Sequence, residues 1–319
     1  MSPVAQQLLR LFINEDEDRV RALWRLLGHG LALVACWWMY AVLVVSLGMS
    51  NEGGLGLRST LVMALAATTA TYLCARYLDR RPFERLGLAL TPRWWADFGA
   101  GVVLGTLLMG GVFALELAAG WIEIQAYQQS SAELPFGPAL LGALVMFVLV
   151  GFYEELVSRG YHLRNIAEGL DELGWLRGRP RLVLALAVLG SSAVFGLLHA
   201  GNPNATALST FNVALAGIML AAGVLWTGQL GIAAGLHLSW NFCQGNVFGF
   251  PVSGSDAGAR LIALEQGGDP LITGGDFGPE AGLIGVAAML AGVALQALWV
   301  RLSRGELRLA PGLAQLGAD

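Results

Sequence analysis

The hydrophobic positions of this chain neither alternate nor leave one polar stripe; they gather in long blocks. Eight blocks of predominantly apolar residues stand out, at about 31–49, 58–77, 96–120, 137–154, 181–200, 207–228, 230–248 and 281–300. A helix of about 20 residues crosses a hydrocarbon core roughly 30 Å thick. The short alternating segments of a membrane β-barrel are absent from the pattern. The prediction is an all-α, polytopic membrane protein with about eight transmembrane helices.

Composition agrees with the pattern. The chain of 319 residues is 55% hydrophobic and only 13% charged, with a mean hydropathy of +0.61, which excludes an ordinary soluble domain. Its 43 glycines suit close helix packing in lipid, where small residues let backbones approach. The first thirty residues carry Arg10, Arg19, Arg21 and Arg25 around the acidic run Glu15-Asp16-Glu17-Asp18. That is too polar and too long for a signal n-region, so no cleavable signal peptide is predicted. Leu8, Leu9, Phe12 and Ile13 recur at helical spacing and suit a segment resting on the membrane surface. The expected organisation is a polar, amphipathic segment at 1–30, one membrane domain at 31–303 and a tail at 304–319. Cys36, Cys74 and Cys243 lie in or beside predicted spans without paired spacing, so they read as packing residues and not as a disulfide framework or thiolate zinc site.

Arginine sets the orientation, because the chain contains no lysine. With a cytoplasmic amino terminus, seventeen arginines fall on the inner side and only Arg58 and Arg260 on the outer side. The positive-inside rule then predicts a multi-pass protein of the cell membrane with both termini in the cytoplasm. The slightly acidic balance argues against nucleic acid as a partner.

Three short polar clusters interrupt the apolar blocks: Glu154-Glu155-Leu156-Val157-Ser158-Arg159, Phe195-Gly196-Leu197-Leu198-His199 and His237-Leu238-Ser239-Trp240-Asn241. Ionisable groups inside a bilayer cost several kcal/mol each unless they face a cavity and have partners. On a helix, Glu155 and Arg159 are one turn apart and can pair, which leaves Glu154 rotated by about 100° towards a different environment. His199 shares a face with Phe195 at the end of its block, and His237 shares one with Asn241 inside another. Read singly, the first cluster also fits a helix end with surface charges. The second also fits an interfacial histidine, and the third an interhelical hydrogen-bonding pair.

Together, EExxxR, FxxxH and HxxxN on three successive polar-bearing spans resemble the CPBP family, which comprises the type II CAAX prenyl endopeptidases and the Abi-type bacteriocin-processing and immunity proteins. The resemblance covers the membrane core at roughly 31–300, and Arg85-Leu86-Gly87-Leu88 is similar to the family's lead-in to the third span. It implies an intramembrane endopeptidase acting on membrane-associated peptides or proteins. Glu154 and His199 would activate water, His237 and Asn241 would stabilise the oxyanion, and Glu155 and Arg159 would orient them. One glutamate and two histidines also match the ligands of some zinc hydrolases, although HExxH is absent. Water activation without metal is the preferred reading, and a divalent metal such as zinc stays open as a cofactor.

Two other function classes fit buried ionisable residues. A proton-coupled transporter is disfavoured because no inverted repeat or broken-helix pair is visible. A non-catalytic scaffold or immunity protein is disfavoured because every candidate catalytic position is filled. The catalytic reading carries structural expectations. The fourth helix must continue past Arg159, to about residue 168, to bring Glu154 level with His199. The turn at 201–204 must be covered by protein. An intramembrane polar cavity is expected between spans four, five and seven, and the connection at 249–280 is long enough to act as a flap.

Overall fold

The structure, a computed structural model, describes residues 9–14, 19–48, 56–130, 134–310 and Leu313. Leu8, the acidic run at 15–18 and most of the tail beyond Ala310 lie outside the described residues. The helices are α1 (Ala22–Ser46), α2 (Leu57–Tyr77), α3 (Pro92–Ala118), α4 (Phe136–Glu155), α5 (Leu163–Asp171), α6 (Pro180–Leu198), α7 (Ala207–Thr227), α8 (Gly231–Phe242), the short α9 (Pro270–Thr273) and α10 (Leu283–Arg304). A π-helical turn, Leu156–His162, joins α4 to α5, and a second, Cys243–Val247, extends α8. Counting α4 to α5 as one, seven helices among the described residues are long and apolar enough to cross a membrane. The eighth predicted span is α8 with its π turn.

Helix α8 is shorter because it is the inner helix of the bundle. Residues 231–240 are all buried, as expected of a segment apolar all round. Its neighbour α3 approaches closely through glycine: a Cβ on Gly101 or Gly105 would collide with the Ile232 carbonyl or the Ser239 hydroxyl, and one on Gly235 with the Phe98 carbonyl. On its other side Gly151 of α4 lets the Leu238 backbone come near. The start of α8 is fixed by the Gly87 carbonyl, which accepts from Leu230 N at 2.9 Å and from Trp94 Nε1 at 3.0 Å. Gly87 has φ of +95°, a conformation that glycine adopts without strain.

Several boundaries differ from the hydropathy blocks, for physical reasons. Helix α1 starts at Ala22 and not near 31, because Arg25 and His29 turn inward and find partners there. Arg25 donates to Glu168 at 2.8 Å, and His29 bonds His162 at 3.1 Å and Thr71 at 2.9 Å. Arg25, Arg81, Arg159 and Arg164, four of the seventeen arginines counted as inner, are buried and hold the fold together. Ahead of α1, Phe12 stacks on Trp24, and two-residue strands β1 (Ile13–Asn14) and β2 (Arg19–Val20) pair.

The connection at 249–282 is a built part of the fold, with a strand and side-chain contacts of its own. Strand β4 (Arg260–Gln266) pairs antiparallel with β3 (Ile122–Gln129), from Ile122 opposite Gln266 to Gln129 opposite Arg260, with a bulge between Ile124 and Ala126. Val252 packs with Met146, Phe147, Val150 and Leu238 on α4 and α8. The turn after His199 is covered by the same connection: Asn202 donates to the Ser253 carbonyl at 3.1 Å and Asn204 to the Asp276 carbonyl at 3.3 Å.

Candidate active site

Three helices converge on one polar cluster. Arg159 lies over the Phe195 ring, Leu163 packs with Val188, and Ile166 faces Gly190. Helix α6 therefore runs beside the π turn and α5, and its end, His199, comes level with Glu154. The continuation of the fourth span to Asp171 makes this meeting geometrically allowed. Helix α8, held by α3 and α4, brings His237 to the same level.

Glu155 is fully buried and shares one oxygen between two donors. Its Oε1 accepts from Arg159 Nη1 at 2.8 Å and lies 2.8 Å from His237 Nδ1. Arg159 also donates to the Gly217 carbonyl at 3.1 Å and sits 4.3 Å above the Phe195 ring centre. The arginine is thus satisfied by a carboxylate, a carbonyl and an aromatic face, which is how a buried guanidinium is tolerated. Glu155 Oε2 has no hydrogen-bond partner among the described residues.

Glu154 faces the other way. Its Oε1 accepts from the Tyr153 hydroxyl at 3.2 Å, and its Oε2 lies 3.8 Å from His237 Nε2 and 4.0 Å from His199 Nε2. Each of these separations is too long for a direct hydrogen bond and of the length that one bridging water spans. The Glu154 and His199 side chains are 19% and 17% exposed, whereas Glu154 Oε2 itself is buried. His199 Nδ1 is 2.8 Å from the Phe195 carbonyl, which only accepts, so Nδ1 carries the proton. His237 Nδ1 donates to Glu155 in the same way. In the neutral rings, both Nε2 atoms then present lone pairs towards Glu154 Oε2.

Asn241 is one turn beyond His237 on α8, half-buried, and its amide makes no hydrogen bond to another described residue. The cluster thus brings together Glu154, Glu155, Arg159, His199 and His237, with Asn241 beside it. Two contributors escaped the sequence reading. The Gly217 carbonyl is a backbone group without a side-chain signature, whereas Tyr153 stood directly beside Glu154 in the chain. Glutamate with two imidazoles has the donor chemistry of a zinc site. Even so, no group of three His, Cys, Asp or Glu among the described residues has metal-ligand geometry.

Among protein families, residues 136–243 match the model described as Type II CAAX prenyl endopeptidase Rce1-like. The match runs from the start of α4 through α8, and it contains all six residues singled out above. Comparison with curated proteins and with solved structures gave no match.

Proposed function

Over residues 136–243 this chain belongs to the type II CAAX prenyl endopeptidase family, and we propose that it hydrolyses peptide bonds of membrane-associated peptides or proteins within the bilayer. The observation that carries the reading is the convergence of one unpartnered carboxylate oxygen, Glu154 Oε2, with two imidazole nitrogens at 3.8 and 4.0 Å. Glu154 takes a proton from the water held there as the oxygen attacks the scissile carbonyl. His199, whose tautomer is fixed by the Phe195 carbonyl, holds the same water through Nε2. Nε2 of His237 receives the water's proton from Glu154 and donates it to the developing oxyanion, while Nδ1–H stays committed to Glu155, whose carboxylate balances the charge that forms on the ring. The free amide of Asn241 supplies a second donor. Glu155 and Arg159 act through His237 and are positioning residues. Both termini are assigned to the cytoplasmic side of the cell membrane, from the arginine distribution.

The test is cleavage of a membrane peptide by purified, monodisperse variants, with the peptide identified by mass spectrometry of membranes holding active or inactive enzyme. Glu154→Gln keeps size and removes the base, so turnover is expected to vanish while the fold persists. Asn241→Ala is expected to reduce the rate by about 10²–10³ and leave detectable activity. Substantial turnover by Glu154→Gln sinks the proposal. A chelator is expected to leave the wild-type rate unchanged; loss on chelation with recovery on zinc replaces this water activation by a metal route.

A further inference from the structure

We infer that Tyr153 is a positioning residue for Glu154, its phenol fixing the rotation of the carboxylate so that one oxygen is turned squarely to the water site. The inference rests on the reading of Glu154 as the base. Glu154 has two chemically equal oxygens, and rotation of a terminal carboxylate is soft and roughly two-fold. Left alone, the group presents either oxygen, or neither squarely, to the two imidazoles. The Tyr153 hydroxyl removes that freedom by donating to Oε1 at 3.2 Å. It is the one hydrogen bond to Glu154 among the described residues, and it leaves Oε2 buried and without a partner.

The phenol is itself well held. The Tyr153 ring packs on the cluster of Met146, Phe147, Val150, Leu238 and Val252, which draws on α4, α8 and the 249–282 connection. A rigid aromatic body with a polar tip therefore hands position from the packed interior to the carboxylate. Because α8 contributes both Leu238 to that cluster and His237 to the site, the oxygen and the imidazole facing it are placed from one frame. Misplacement of a reacting group by about 1 Å costs on the order of a hundredfold in rate, so this constraint has a measurable consequence.

Tyr153→Phe separates positioning from packing, since the ring stays and only the hydroxyl goes. Kinetics of the full-length protein on an identified membrane peptide are expected to show kcat reduced roughly 10- to 100-fold, the size of one hydrogen bond to a charged group. KM and thermal midpoint are expected to stay at wild-type values. Wild-type kcat in Tyr153→Phe, beside an inactive Glu154→Gln, removes this inference alone. A thermal midpoint that falls in step with kcat assigns the hydroxyl to stability and also overturns it. Retained turnover in Glu154→Gln removes the base, and this inference with it.

Discussion

At the scale of single residues, the site depends on how one buried carboxylate is compensated. Glu155 is fully buried, and its charge is matched by Arg159 at 2.8 Å and by the His237 ring at the same distance. Removing one partner of a buried pair leaves the other charge uncompensated, at about 3–5 kcal/mol, far above the worth of a surface pair. Arg159→Ala is therefore expected to lower both the yield of folded protein and the residual turnover, read by thermal unfolding and peptide cleavage on the same preparation. Arg159→Lys retains the charge but loses the second donor to Gly217 and the planar stack on Phe195, so it is expected to rescue yield only in part. Wild-type stability in Arg159→Ala would remove the structural role of the pair. The Glu155–Arg159 pairing was legible from a spacing of four. The partners that complete the arrangement were not, because a carbonyl such as that of Gly217 has no residue-type signature.

At the scale of elements, the question is what places α8 so that His237 meets Glu154. The answer is backbone contact with α3, permitted by Gly101, Gly105 and Gly235. Gly235→Val forces side-chain atoms onto the Phe98 carbonyl, so α8 must shift away from α3 and carry His237 with it. Overpacking of this kind costs typically about 1–3 kcal/mol and occasionally more. The expected result is a lower thermal midpoint and a loss of turnover in the remaining folded protein. Gly99→Ala, on the facing helix α3 and with open space around its added Cβ, is expected to change neither. Equal effects of the two substitutions would place the cause in glycine content and not in the contact. Hydrophobic blocks reveal helices because burial in lipid or protein demands apolar surface, and all eight predicted blocks correspond to helical segments. They do not reveal the π turn at Leu156–His162, since a change in winding leaves composition untouched. Nor did they reveal the β3–β4 pair, whose long-range partners are more than a hundred residues apart.

At the scale of the whole molecule, the bundle has two dissimilar ends, one gathering the arginines and the other carrying the 249–282 connection. A reporter fused after Arg308 is expected to behave as cytoplasmic and one within 255–275 as external, and the reverse would overturn the arginine argument. The connection also has its own pH dependence. Glu280, just ahead of α10 and outside the spans, is 5% exposed. It accepts from the Ser253 backbone at 2.7 Å, from the Ser253 hydroxyl at 3.3 Å and from the Gln244 amide. Burial pushes its carboxyl up from 4.5 to about 7, against the opposing pull of these hydrogen bonds. The folded state thus binds this proton more tightly than the unfolded state. The stability it contributes is complete below pH 4.5 and is lost as pH rises to about 7, a span worth about 3 kcal/mol. Because Gln244 follows directly on the helix of His237 and Ser253 receives Asn202 beyond His199, loosening is expected to reach the cover of the site. Limited proteolysis of the 249–282 connection, compared between pH 5 and pH 8, is expected to speed up in the wild type as pH rises. In Glu280→Gln, which has no proton to lose, that difference is expected to shrink, with carboxylates and histidines elsewhere contributing equally to both proteins. The same pH slope in wild type and Glu280→Gln would show that Glu280 does not govern the closure of this face.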